Sequence, residues 1–190
     1  KYPPAQGLVL GLGQALGGHP IFGVWLSIAL MVAAMHWMFR AWLPERWALV
    51  GGLLVVLQLG VSSYWAQSYW GGAVAAVGGA LVFGAVRRLA DEPTVPGAIA
   101  LGLGLAILAN SRPFEGLVVS LFAAAALAWF FFGRGPDYRH ASLRRVAVPL
   151  LLVLAVTGLA MATYNRTTTG DAFRMPYQVY AGTYSMGSFF

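Results

Sequence analysis

Residues 47–86 read WALVGGLLVVLQLGVSSYWAQSYWGGAVAAVGGALVFGAV, forty consecutive positions without a charged side chain. A helix needs about 20 apolar residues to cross the hydrocarbon core of a bilayer. The stretch therefore holds two crossings with a turn between them. The turn is expected at Ser62-Ser63-Tyr64-Trp65-Ala66-Gln67-Ser68-Tyr69-Trp70-Gly71-Gly72, where polar, aromatic and glycine residues gather.

Outward from this stretch, every charge marks a boundary. Arg40, Glu45 and Arg46 precede it, and Arg87, Arg88, Asp91 and Glu92 follow it. Arg112 and Glu115 stand alone until Arg134, which opens a cluster ending at Arg145. The uncharged gaps predict spans at 21–39, 47–64, 72–86, 97–111, 114–133 and 146–164. The fold class is all-α, a polytopic transmembrane helix bundle of about six helices with a short juxtamembrane helix. Composition agrees: 59% of the 190 residues are hydrophobic and 9% charged, against about 25% charged in soluble domains. The net charge of +6 does not imply a nucleic-acid partner, because the basic residues are scattered singly and in pairs between apolar runs. With no cysteine, disulfides, thiolate metal sites and cysteine nucleophiles are excluded.

Alternating spans sort the loops onto two faces. One face carries Arg40, Arg46, Arg87, Arg88, Arg134, Arg139, Arg144 and Arg145, and the other Lys1, Arg112, Arg166 and Arg174. Eight basic residues against four puts the first face in the cytoplasm by the positive-inside rule. Residues 1–20 form an outer juxtamembrane segment, 21–164 the bundle, and 165–190 the start of an extracytoplasmic segment. Residues 5–18 are too short to cross and are read as a helix lying at the outer surface. Their glycines suit close helix packing rather than a nucleotide loop, since no strand precedes them. The first residue is Lys and the last residues show no stop-like character, so the chain reads as incomplete at both ends.

Charges at membrane depth are costly and often functional, which singles out Asn110-Ser111-Arg112-Pro113-Phe114-Glu115-Gly116. In structural terms alone, Pro113 starts a helix, Glu115 suits its first turn, and Arg112 neutralises Glu115. Lys1 precedes the rigid corner Pro3-Pro4, either as an interfacial lysine or as a ligand. His36 lies inside a span, where a neutral histidine bonding a neighbouring helix is the simpler role. His19 and His140 fall in loops, and no His/Asp/Glu cluster has metal-ligand spacing. Tyr64, Trp65, Tyr69 and Trp70 suit an aromatic belt better than a sugar-stacking surface. Asn165-Arg166-Thr167 matches a glycosylation sequon, a pattern short enough to recur by chance.

Four of these pieces, in this order, resemble the polytopic glycosyltransferases of the C superfold, which include the protein O-mannosyltransferases and the bacterial lipid A aminoarabinose transferase. Lys1-Tyr2-Pro3-Pro4 stands before a short juxtamembrane helix. Trp25-Leu26-Ser27-Ile28-Ala29-Leu30 follows where relatives carry Arg-Leu-x-Ser-Ala-Leu. Asn110–Gly116 corresponds to a polar turn between helices. Tyr164-Asn165-Arg166-Thr167-Thr168-Thr169-Gly170, with Met175-Pro176-Tyr177, looks like the outer segment after a later span.

The resemblance implies transfer of a sugar from a polyprenyl-phosphate donor to a glycan, lipid or protein acceptor, on the extracytoplasmic face of a bacterial inner membrane. Lys1 and Arg112 would bind the donor phosphate, with Glu115, Asn110 and Tyr2 in support. The catalytic residue is not identified, because the family's acidic base would precede Lys1. No cofactor is implied within these residues, and the need for a divalent metal is open. The alternative is a transporter or lipid flippase that performs no chemistry.

Overall fold

A computed structural model describes residues 4–133 and 143–184. Lys1, Tyr2, the Arg134–Arg139 part of the basic loop and His140 lie outside them. The described residues are helical without a strand, as the composition requires. The helices are α1 (Pro4–Gly17), α2 (Ile21–Trp42), α3 (Glu45–Val55), α4 (Gly72–Asp91), α5 (Val95–Ala109), α6 (Pro113–Gly133), α7 (Val148–Thr169) and α8 (Pro176–Tyr184). A π-helical stretch, Val56–Val61, continues α3, and another, Leu143–Ala147, leads into α7.

Four stretches are long and apolar enough to cross a membrane: Ile21–Trp42, Gly72–Asp91, Pro113–Phe131 and Arg144–Thr169. The chain is thus an integral membrane protein by the length and composition of its helices. Two of the six expected spans fall short of the four long stretches, at about their expected lengths. α5 has 15 residues, about 22 Å at 1.5 Å per residue, because Thr94 caps it at Gly97 and Asn110 ends it. α3 and its π continuation end at Val61. Other spans run longer than expected. α4 continues to Asp91 and keeps Arg87 and Arg88 within the helix, because both guanidinium groups find partners there. α7 extends five residues beyond 164. The Thr168 and Thr169 hydroxyls donate back to the Tyr164 and Asn165 carbonyls, and Gly170, at φ +82°, supplies the left-handed residue that stops the helix.

The core forms where α4, α5 and α6 meet. Val82, Ala85 and Leu89 of α4 pack with Ala98, Leu101 and Leu108 of α5 and with Ala123 and Leu127 of α6. Glycines set the spacing. A methyl group added at Gly78 would lie 3.0 Å from the Gly104 carbonyl oxygen, and one at Gly104 2.8 Å from that of Gly78. The two backbones therefore touch, the arrangement by which helices associate in lipid. α1 meets α2 in the same way, since a Cβ at Gly13 would strike the Gly23 backbone. Gly13 thus serves packing, whereas Gly7 and Gly11 have open space around them. α7 is mostly exposed along its length and rests on α5 where Gly102 faces Val153.

Contacts along the helices fix their directions. Ile28 and Met31 cluster with Ala73 while Trp42 donates to the Phe83 carbonyl, which sets α2 parallel to α4. Leu89 lies against Gly97 while Gly78 lies against Ile107 and Leu108, which sets α5 antiparallel to α4. One end of the bundle consequently gathers Arg40, Arg46, Arg87, Arg88, Arg144 and Arg145. The opposite end gathers the 62–71 loop, the Asn110–Pro113 turn, and the passage from α7 to α8.

Candidate functional site

The end poorer in arginine is built from segments far apart in sequence. Asn110 terminates α5, and its side-chain Nδ2 donates back to the Ala106 carbonyl at 2.9 Å. Ser111 does the same to Ile107 at 2.7 Å. These bonds use the last carbonyls of a helix that has no further turn to use them. The Asn110 carbonyl then accepts a 2.9 Å hydrogen bond from the backbone N–H of Ala5. The free end of α1 is thereby pinned to a turn more than 100 positions away in the chain.

A small cleft opens beside this bond. Pro4 of α1 and Asn110 and Pro113 of the turn form one side, and Tyr164, Asn165 and Tyr177 belong to the other. Asn165 is buried, with its Nδ2 donating to the Ala172 carbonyl at 3.2 Å and its own carbonyl taken by Thr169. A buried asparagine inside a helix is not displayed as a glycosylation acceptor. Its amide instead clasps the chain that leaves α7, and so holds α8 against the cleft.

Arg112 and Glu115 flank Pro113 and Phe114 in the same turn, outside the residues that line the cleft. Arg112 Nη1 donates to Glu115 Oε1 at 3.0 Å, and the two side chains are 53% and 57% exposed. The pair is three residues apart on one helical face, as the turn's sequence anticipates. An exposed pair of this kind contributes about 0–1 kcal/mol. Its guanidinium therefore exchanges partners at little cost. Lys1 and Tyr2 lie outside the described residues. Ala5, four positions after Lys1, sits on Asn110, two positions before Arg112.

The remaining sequence candidates divide clearly. His36 contacts the Ala48 carbonyl of α3 at 3.2 Å through Nδ1. The carbonyl only accepts, so Nδ1 carries the proton and the histidine joins two helices. Trp65 packs on the cluster of Ile28, Met31 and Ala73, whereas Tyr64, Tyr69 and Trp70 are exposed. In the α2 segment that carries the resemblance, Ser27 and Ile28 face inward while Trp25 and Leu30 are exposed. Among the described residues no group of three or more His, Cys, Asp or Glu side chains is placed to hold a metal.

Two features escaped sequence reasoning. The cleft between α1, the α5–α6 turn and α7–α8 depends on tertiary convergence, which no local pattern encodes. Gln6 and Ser68 carry buried polar atoms with no hydrogen-bond partner among the described residues: both amide atoms of Gln6 and the Ser68 hydroxyl. Only the unusual placement of a glutamine in a glycine-rich apolar helix hinted at the first. No family model, curated protein or solved structure matches the chain.

Proposed function

We propose that the chain is part of a membrane glycosyltransferase that takes a sugar from a polyprenyl-phosphate donor, with its site at the arginine-poor, extracytoplasmic end of a six-span bundle. In this topology α3 with its π continuation and the short α5 count as crossings beside the four long helices. The observation that carries the proposal is the Ala5–Asn110 hydrogen bond. It joins the segment that follows Lys1-Tyr2-Pro3-Pro4 to the turn that holds Arg112, at one end of the bundle. Lys1 is three positions from Pro4, a reach of about 11 Å at most.

The chemistry is coherent with such a site. A polyprenyl phosphate keeps its chain in the lipid and its anionic head at the interface. Cations beside an apolar surface at the end of the bundle match both parts. Phosphate is also the leaving group, so a cation beside it stabilises charge that grows in the transition state. Lys1 and Arg112 would share this phosphate, with Glu115 neutralising the Arg112 guanidinium in the resting state until the phosphate displaces it. Asn110 acts through its backbone, by holding α1. The carboxylate that activates the acceptor would precede Lys1, in an outer loop of the full-length protein.

The test measures binding of prenyl phosphate to the full-length protein in nanodiscs. Arg112→Gln is expected to weaken binding by about 1.5–3 kcal/mol, the range for a hydrogen bond to a charged group. Arg112→Lys restores only part, because an ammonium cannot make the bidentate contact. Unchanged affinity in Arg112→Gln would remove the phosphate site. If transport of a prenyl-phosphate sugar is found without sugar transfer, the alternative of a flippase or transporter takes its place.

A further inference from the structure

Three arginines converge where α2 and α4 end, at the opposite end of the bundle from the candidate site. Arg88 reaches across to α2, where its Nη2 donates to the Trp37 carbonyl at 2.8 Å. Its guanidinium carbon lies 3.8 Å from the centre of the Trp37 ring. Arg87 pairs with Asp91 and lies over the Trp42 ring. Arg40 is exposed in the last turn of α2, three positions after Trp37. Residues three apart share a helix face, so Arg40 stands on the face that Arg88 has reached. The two positive charges are close enough to repel one another.

Nothing among the described residues offsets that repulsion. The Arg40 side chain makes no hydrogen bond there, and no carboxylate lies within ion-pair distance of Arg40 or Arg88. Arg88 cannot withdraw without losing its bonds to Trp37 and Gly84. Those partners are neutral carbonyls, so its charge is held in place uncompensated. Trp42 and Leu43, just beyond Arg40, are exposed. Tryptophan at the end of a span sits at the level of the lipid headgroups, which puts Arg40 beside lipid phosphates.

We infer that Arg40, backed by Arg88, binds the phosphate of an anionic phospholipid in the leaflet at the arginine-rich end. This is independent of the donor assignment made above. The guanidinium fork matches two phosphate oxygens, and an anion between the two arginines turns their repulsion into attraction for it. Charge selects the lipid. Six described arginines face three carboxylates at this end, a field that favours a headgroup with net negative charge. A zwitterionic headgroup carries an ammonium that the same field repels. The apolar surfaces of Trp42 and Leu43 suit the start of the acyl chains, a part that a soluble anion lacks.

The experiment titrates the full-length protein in detergent with phosphatidylglycerol, phosphatidylcholine and soluble glycerol phosphate, and melts it with each. Wild type is compared with Arg40→Gln, Arg40→Lys and Arg145→Gln. Arg145 belongs to the same end, but its π-helical stretch packs on α5 and α7. Wild type should prefer phosphatidylglycerol and melt higher with it. Arg40→Gln should lose about tenfold in affinity for that lipid, Arg40→Lys should lose less, and Arg145→Gln should hold it as wild type does. With phosphatidylcholine the order of stability should be level or reversed. Arg40→Gln removes a repulsion there and breaks no bond, so it should melt no lower than wild type.

Four results would overturn the inference. Equal affinity of the wild type for the two lipids would remove the selective site. A loss as large in Arg145→Gln as in Arg40→Gln would make the attraction a diffuse property of the whole end. Glycerol phosphate that binds as tightly as phosphatidylglycerol would make this a site for a free anion. Arg40→Gln melting lower in phosphatidylcholine, with equal loss for both lipids, would make Arg40 merely structural.

Discussion

Arg88 and Arg112 are the same residue at opposite ends of one bundle, and they are held in opposite ways. Arg88 Nη2 donates to the Trp37 carbonyl at 2.8 Å and Nη1 to the Gly84 carbonyl at 3.0 Å. Its guanidinium carbon lies 3.8 Å from the centre of the Trp37 ring. Arg112 has one exposed carboxylate three residues along its own chain. The first arginine is consumed in joining α2 to α4, and the second keeps most of its donors for something else. A basic residue in a membrane protein is thus better judged by what its N–H groups already hold than by its sign. Arg87 belongs with Arg88, since it pairs with Asp91 and lies over Trp42.

The comparison is broken most completely at the level of topology. If the two arginines belong to opposite faces of the membrane, single cysteines at Asp91 and Thr168 should react with an impermeant reagent from opposite sides. Reaction of both from the outside would put both ends on one face. The assignment of the outer site would fall with it.

Next in size is the effect on the fold. Arg88→Ala should destabilise the detergent-solubilised protein by about 2–3 kcal/mol, from the loss of charge-assisted bonds to carbonyls and of the ring contact. Prenyl-phosphate affinity should not change. Arg112→Gln is its mirror image, with binding lost as described above and the melting temperature kept. A thermal midpoint that falls as far for Arg112→Gln as for Arg88→Ala would erase the distinction.

A smaller effect is expected at Asn165, which belongs to the arginine-poor end but is buried like Arg88. Asn165→Ala removes the bond to the Ala172 carbonyl and should cost about 1 kcal/mol. The loosening should appear as faster hydrogen exchange at residues 171–180, with the core helices unaffected. Protection lost equally in α4 would show that α7 and α8 are not the separable edge that their sparse packing implies.

Much of this architecture is legible in the sequence because lipid makes a simple demand. Charges are costly in hydrocarbon, so their positions mark helix ends, and the all-α class follows from composition. Less legible is where each helix stops. The hydroxyls of Thr168 and Thr169 extend α7 by bonding backwards, although threonine in a polar stretch reads as loop. Arg87 and Arg88 read as a boundary, yet α4 carries them inside because their partners come from α2 and from Asp91. Within the candidate site, the Asn110–Glu115 turn is visible as an isolated pair of charges. The convergence of Pro4, Asn110, Asn165 and Tyr177 on one cleft is not, because it is a property of the folded chain alone.

The smallest predicted effect sharpens the contrast most directly. Among the described residues, Glu115 is the hydrogen-bond partner of the Arg112 side chain, and both groups are more than half exposed. Removing a charge from such a pair changes stability by at most about 1 kcal/mol, so Glu115→Gln should melt close to the wild type. Its effect on an anionic ligand should have the opposite sign from that of Arg112→Gln. With the carboxylate gone, the guanidinium has no anion to surrender before it meets phosphate, and a like charge no longer faces the incoming ligand. Affinity for prenyl phosphate should therefore rise, by less than tenfold given the size of an exposed pair's interaction, and the gain should shrink as salt screens both interactions. An affinity that falls instead would mean that Glu115 orients the guanidinium for its ligand rather than competing for it. The double variant Arg112→Gln, Glu115→Gln decides between these roles. If Glu115 acts only through Arg112, its replacement has no further effect once the arginine is gone.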